Sequence, residues 1–113
     1  MIESFAFGSM VIDGKDYASD LMIYPDGRVK DAWIRKRGHG LIWKDMAALI
    51  ETGPEVIIAG TGVSGGVIPE DGLRGRLLEK GIELIAAPNK EAVDLYNLLS
   101  SEKRVGACFH LTC

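Results

Sequence analysis

The residues Glu55-Val56-Ile57-Ile58-Ala59-Gly60-Thr61-Gly62-Val63-Ser64-Gly65-Gly66, then a helical pattern, then Gly81-Ile82-Glu83-Leu84-Ile85-Ala86-Ala87-Pro88-Asn89, decide the fold. They read as strand, glycine loop, helix and strand, which is one βαβ unit. Residues 56–59 and 82–87 carry no regular polar alternation, as expected of parallel strands covered on both faces. The remaining elements can be placed relative to that unit.

After the glycine loop, Pro69 is expected at the first position of a helix running to about Lys80. Glu70 and Asp71 would lie in its first turn and Arg76 and Lys80 near its other end, each complementing the helix dipole. Leu73, Leu77 and Leu78 make its apolar stripe. Gly72 and Gly75 within it each cost about 1 kcal/mol relative to alanine, which implies that something approaches that face closely. Beyond Pro88, Asn89 is a suitable N-cap for a helix that buries Val93, Tyr96 and Leu98-Leu99. Residues 104–113 read as a last strand. Val105, Ala107, Phe109 and Leu111 share one face; Gly106, Cys108, His110 and Thr112 share the other.

Upstream, residues 9–17 read as a hairpin turning through Asp13-Gly14, because both central positions of that turn need positive φ. A second hairpin runs from residues 21–24 through Pro25-Asp26-Gly27 into residues 29–34. A short helix over about 45–52 places Met46, Leu49 and Ile50 at i, i+3, i+4, and Gly53 and Pro54 end it. There is no repeat and no linker. Residues 1–113 form a single α/β domain.

The bulk numbers exclude several classes. With 47% apolar residues and both charge signs, the chain is neither disordered nor fibrous. No apolar run approaches the ~20 residues of a membrane span, and the first residues lack the basic and apolar regions of a secretory signal. A cytoplasmic protein without membrane contact is expected. Cys108 and Cys113 are separated by an odd number of strand residues and should face opposite ways as free thiols. The net charge is −3, yet Arg28, Lys30, Arg35, Lys36, Arg37 and Lys44 against Asp31 give residues 28–44 a sum of +5. One basic patch on an acidic body follows.

Gly60-Thr61-Gly62-Val63-Ser64-Gly65 matches the G-x-G-x-x-G dinucleotide pattern and follows a strand. No acid stands at the end of the next strand to hold a ribose, and the helix begins several residues late. The chain is too short for two mononucleotide-binding halves. A tight loop forming part of a pocket at the strand ends is the better reading, with no cofactor. Gly72-Leu73-Arg74-Gly75 resembles a KH-domain clamp, but Glu70 and Asp71 beside it would repel phosphate.

Arg35-Lys36-Arg37-Gly38-His39 reads first as a solvated basic loop, and next as a site for an acidic protein partner or a small anion. Nucleic acid ranks below both, since the protein is acidic and only Trp33 and Trp43 flank the run. Cys108, His110, Cys113 and His39 lack metal-ligand spacing, so no metal is expected, and no third group orients a Cys/His nucleophile pair. Ser64 lacks the context of a nucleophile elbow.

Phe7-Gly8, Asp13-Gly14, Tyr17, Asp20, Trp33, Gly38-His39, Asp45, Glu55-Val56-Ile57-Ile58-Ala59-Gly60-Thr61-Gly62, Glu91-Ala92, Tyr96-Asn97 and the ending over 105–111 together resemble the domain-of-unknown-function 498 family. In eukaryotes that family includes the adipogenesis-associated domain protein and the mitochondrial complex I assembly factor 3; this chain looks like an archaeal-type member. The resemblance implies a three-layer α/β fold with a mixed central sheet, a β-rich N-terminal portion and no established enzymatic activity. It departs from the family at Pro88-Asn89 and at Val93-Asp94-Leu95.

The expectation is a non-catalytic interaction or accessory module with a shallow pocket. That pocket would be built from the loop 60–66 with Gly60, Thr61 and Gly62, the basic residues Arg35, Arg37 and His39, and Asn97. Its partner would be a protein or a small anion, with a homo-oligomer possible. The alternatives are a protein or enzyme binding a small anion or nucleotide fragment, and nucleic-acid binding through residues 28–44.

Overall fold

The computed structural model describes residues 1–113. The chain opens with three antiparallel strands, β1 (Ile2–Ala6), β2 (Ser9–Ile12) and β3 (Lys15–Tyr17). The turn between β2 and β3 is the expected one, with Asp13 at φ 49° and Gly14 at φ 80°. β4 (Leu21–Ile23) and β5 (Val29–Lys30) form the second hairpin, followed by β6 (Gly40–Leu41). A single 3-10 turn at Trp43–Met46 leads into α1 (Ala47–Glu51). The expected βαβ unit then appears as β7 (Val56–Gly60), α2 (Leu73–Glu79) and β9 (Glu83–Ala87), with a short β8 (Ile68–Pro69) ahead of α2. α3 (Asn89–Leu99) and β10 (Val105–Phe109) complete it.

The central sheet has the order β5-β4-β10-β7-β9. β10, β7 and β9 are parallel, while β4 pairs antiparallel with β10 and with β5, so the sheet is mixed. Side chains alternate across it as strand geometry demands. Val56, Ile58, Val105, Ala107 and Phe109 enter one core with α3 residues Ala92, Val93 and Tyr96 and with Ile2, Met10 and Ile12 of the N-terminal sheet. Ile57, Ala59 and Cys108 enter the other, with Leu49 and Ile50 of α1 and Leu73 and Leu77 of α2. Two apolar layers therefore cover the sheet, which accounts for the unalternating run in β7; β9, also expected to be covered on both faces, is an edge strand with Glu83 exposed and Ile85 and Ala86 half-buried.

Four local expectations are corrected. Pro69 does not start a helix: Ile68 and Pro69 pair parallel with Gly40 and Leu41, and α2 begins only at Leu73. Gly72 stands just before that helix at φ 85°, and a Cβ at either Gly72 or Gly75 would meet nothing within 4 Å, so no neighbour crowds that face. The second hairpin strand stops at Lys30 instead of reaching residue 34, since the chain turns back at Ala32 (φ 52°). There the Ala32 and Trp33 amides donate to Ser19 Oγ and the Asp20 carbonyl. Leu78 and Leu98, expected to be buried, are exposed.

Candidate functional site

The connections from β7 and β9 leave the sheet on opposite sides. β7 leads to α2 over one face, whereas β9 leads back across β7 through α3 on the other. Their C-terminal ends thus part at a topological switch point, the usual place for a binding crevice in an open α/β sheet. A cleft of about 580 Å³ lies there, bounded by Thr61, Ser64 and Gly65 on one strand end and by Ala86, Ala87 and Pro88 on the other. A second cleft of about 650 Å³ lies beside it, with Lys36, Arg37 and Lys44 on its wall. Residues 68–71 line both and form the ridge between them.

The glycine loop does not present its amides to a phosphate. Thr61 N–H donates to the Ala87 carbonyl and Gly62 N–H to Asn89 Oδ1. Val63 N–H donates to the Thr112 carbonyl (2.7 Å), Gly65 N–H to Gly62, and Gly66 N–H to Cys113 (2.8 Å). Residues 112–113 therefore lie across the loop where a pyrophosphate would sit. A Cβ on Gly62 would stand 2.7 Å from the Cys113 oxygen, and one on Gly66 would stand 2.6 Å from it. These glycines make room for the protein's own chain.

Asn89 secures this arrangement. It is the first helical residue of α3 rather than its cap, fully buried, and its side chain accepts from Gly62 while donating to the His110 carbonyl (2.8 Å). One amide thus fastens the glycine loop, α3 and the end of β10 together. The signal available in the sequence is an asparagine immediately after a proline at a strand end.

The basic loop is tied to the same end of the sheet. Arg35, with its side chain only 4% exposed, donates from Nη1 to Asp20 Oδ2 (2.8 Å) and from Nη2 to the Gly38 carbonyl (2.7 Å), and it stacks on Trp33. His110 Nδ1 also lies 2.8 Å from Asp20 Oδ2, and Leu111 N–H donates to Asp20 Oδ1. Arg35 Nη2 lies 3.1 Å from the same Nδ1, and the Thr112 hydroxyl lies 3.1 Å from Nε2. Burial alone would raise the Asp20 pKa, but the hydrogen bonds from His110, Leu111 and Arg35 outweigh it and hold the carboxyl below the ordinary aspartate value. Hydroxyl, imidazole and carboxylate stand in nucleophile–base order, yet Arg35 shares the carboxylate and neither cleft is lined by His110 or Thr112. The network fastens the loop to the strand end.

The residues singled out in the sequence therefore divide. Gly60, Thr61 and Gly62 lie at the switch point, and His39 reaches the same face, with Nε2 3.7 Å from Cys113 Sγ. Arg37 lines the larger cleft. Arg35 is turned inward as a support. Asn97 is elsewhere: its side chain clasps both backbone groups of Ile2 at 2.8–2.9 Å, eight residues or about 12 Å along α3 from Asn89. The basic loop and the glycine loop share a face, and Asn97 does not join them. Sequence reasoning does not find Asp20 and Asn89 as site-building residues. No group of three or more His, Cys, Asp or Glu side chains is placed to hold a metal, and no helix is long and apolar enough to cross a membrane.

What these features define is a small mixed-sheet α/β domain with paired clefts at the ends of its parallel strands and a glycine loop closed by residues 112–113. The chain belongs to the family described as protein of unknown function DUF498/DUF598, which matches residues 2–110. Its structure is similar to that of the conserved hypothetical protein PH1505 from Pyrococcus horikoshii OT3, at 29% identity and a TM-score of 0.90 over 100% of this chain and 99% of that one. The structure of MT938 is similar at 32% identity and a TM-score of 0.83, covering 100% of this chain and 98% of that one. A Mth938-like domain from Bordetella pertussis shares the fold at 17% identity and a TM-score of 0.69 over 98% and 85% of the two chains.

Proposed function

We infer that this protein, an archaeal-type member of its family, is a non-catalytic cytoplasmic interaction module that receives an acidic, partly apolar segment of a partner protein across residues 36–44 and the ridge at Ile68. The observation that carries this reading is Ile68, 69% exposed at the lip of a cleft whose Lys36, Arg37 and Lys44 make no ion pair. A large exposed aliphatic side chain beside three unpaired cations, which outnumber the Glu70 and Asp71 carboxylates on the same cleft, suits an apolar anchor with charges that steer and orient an acidic partner. Binding a small anion or nucleotide fragment through the glycine loop is less well supported, because five of its amides are already hydrogen-bonded within the protein.

The test is selection from a displayed library of acidic–apolar peptides, with binders mapped by amide chemical shifts. The reading expects perturbations at Lys36, Arg37, Lys44 and Ile68, weakening with salt, and loss of binding in Ile68→Asp and in Lys36→Glu/Arg37→Glu without loss of fold. Failure to recover such binders, or perturbations centred on another face, would overturn it.

A further inference from the structure

The switch-point cleft has a chemistry distinct from that of its basic neighbour. At its base is Thr61, a largely buried residue whose hydroxyl opens onto the cleft and makes no hydrogen bond within the protein. Gly65 keeps this place open, since a Cβ there would stand 3.6 Å from Thr61 Oγ1 and 3.3 Å from Pro88 Cγ. Around it stand charges of both signs. Arg74 is held against β9 by Nε donating to the Leu84 carbonyl at 3.3 Å, which leaves both terminal nitrogens of its guanidinium without a protein acceptor. Glu70 and Asp71 line the same cleft, and neither makes an ion pair with Arg74 even though Asp71 precedes it by only three residues; Glu70 also accepts from the Trp43 amide at 3.4 Å through one of its two oxygens.

We propose that this cleft binds a small zwitterion of the free amino acid or short peptide class, its carboxylate on Arg74, its ammonium on Asp71 and Glu70, and a polar group on Thr61. One cation against two carboxylates disfavours phosphates and nucleotides, whose charge is all of one sign. It suits a ligand that carries both signs and bridges groups that do not pair with each other. The apolar wall of Val67, Ile68, Pro69 and Pro88 leaves room for a side chain.

The experiment is a titration of the intact protein, followed by amide chemical shifts and calorimetry. The probes are the free L-amino acids, a set of dipeptides, and the N-acetyl and C-amide derivatives of any that bind. The expected result is saturable binding by at least one zwitterion, with shifts at Thr61, Gly65, Arg74 and Ala87. Each derivative lacking one charge, and each of Arg74→Gln and Asp71→Asn, should weaken it about tenfold or more, the loss of one charge-assisted hydrogen bond. Thr61→Val should weaken it about fivefold. Preference for dipeptides over free amino acids would identify peptide ends as the natural source; the reverse would identify metabolites. No saturable zwitterion at concentrations of about 10 mM, or derivatives binding as well as the parent, would overturn the proposal. Arg74 and Asp71 are exposed, so their variants keep the test decisive if Thr61→Val lowers stability. Because the peptide selection reads the neighbouring cleft, the two readings fail separately.

Discussion

Replacing Gly62 by alanine tests whether the glycine loop exists to admit residues 112–113. Gly62 has φ 113°, and its new Cβ would meet the Cys113 backbone, with the Cys113 oxygen at 2.7 Å and the Thr112 oxygen at 3.1 Å. The strained backbone costs about 1–2 kcal/mol in a residue with a Cβ. The obstacle is main chain, so residues 112–113 must move. That would break the hydrogen bonds from Val63 to Thr112 and from Gly66 to Cys113, worth about 1 kcal/mol each. The total, about 3–4 kcal/mol, is a large share of what a domain usually has, and corresponds to a fall in Tm of about 12–16 °C. Urea unfolding gives the free energy, and amide shifts of 110–113 show whether that segment has left the loop. A loss under about 1 kcal/mol with those shifts unchanged would refute the reasoning, and the glycines would need another explanation.

Gly75→Ala acts in the opposite direction: it adds a methyl in open space inside α2 and should stabilise by about 1 kcal/mol in the same urea experiment, whereas destabilisation would mean the helix face is occupied. Because the Asp20 pKa is depressed on folding, its contribution is complete above the unfolded aspartate value and is lost as pH falls through the folded one. Urea midpoints followed downward from about pH 5 should therefore fall less steeply in Asp20→Asn than in the parent, and parallel slopes would contradict the network. Arg35→Met leaves the Gly38 carbonyl and one side of Asp20 without a donor, and should cost about 3 kcal/mol and loosen residues 36–39, measured by hydrogen exchange. An aromatic disulfide reagent should titrate one thiol in the native protein, exposed Cys113, and two in denaturant, since burial pushes the Cys108 thiol up to about 12.

Much of the architecture was legible because it rests on local periodicity. The apolar run of β7, the Asp13-Gly14 turn and the two faces of β10 are short-range signals, and each appears where expected, whereas β9 is a strand in the expected place but only partly covered because it lies at the sheet edge. What escaped reading depends on distant partners. Pro69 has the local credentials of a helix start, yet a parallel partner at Gly40–Leu41 draws Ile68 and Pro69 into a strand. Glycines 60 and 62 matched a nucleotide pattern because close approach of any kind demands the same residue: Gly60 admits the Phe109 ring and Gly62 the Cys113 main chain, and no pattern states which neighbour will arrive. Arg35 looked like a surface cation among others; only the approach of Asp20 and His110, 90 residues apart in the chain, turns it inward. The unpaired hydroxyl of Thr61 is likewise a property of its surroundings.

The place of β10 has a consequence for how the protein comes into being. The last strand of the domain in chain order is the middle one of the sheet, lying between β4 and β7. Until it is synthesised, the earlier residues hold two strands whose neighbouring edges have nothing to pair with, and the sheet exists only as separate halves. Vectorial folding from the N-terminal side is thereby denied to this domain. Closure must wait for β10 and then join segments far apart in sequence, which makes folding slow. In the interval the open edges of β4 and β7 are exposed to other nascent chains, so the dangerous period for aggregation is synthesis itself.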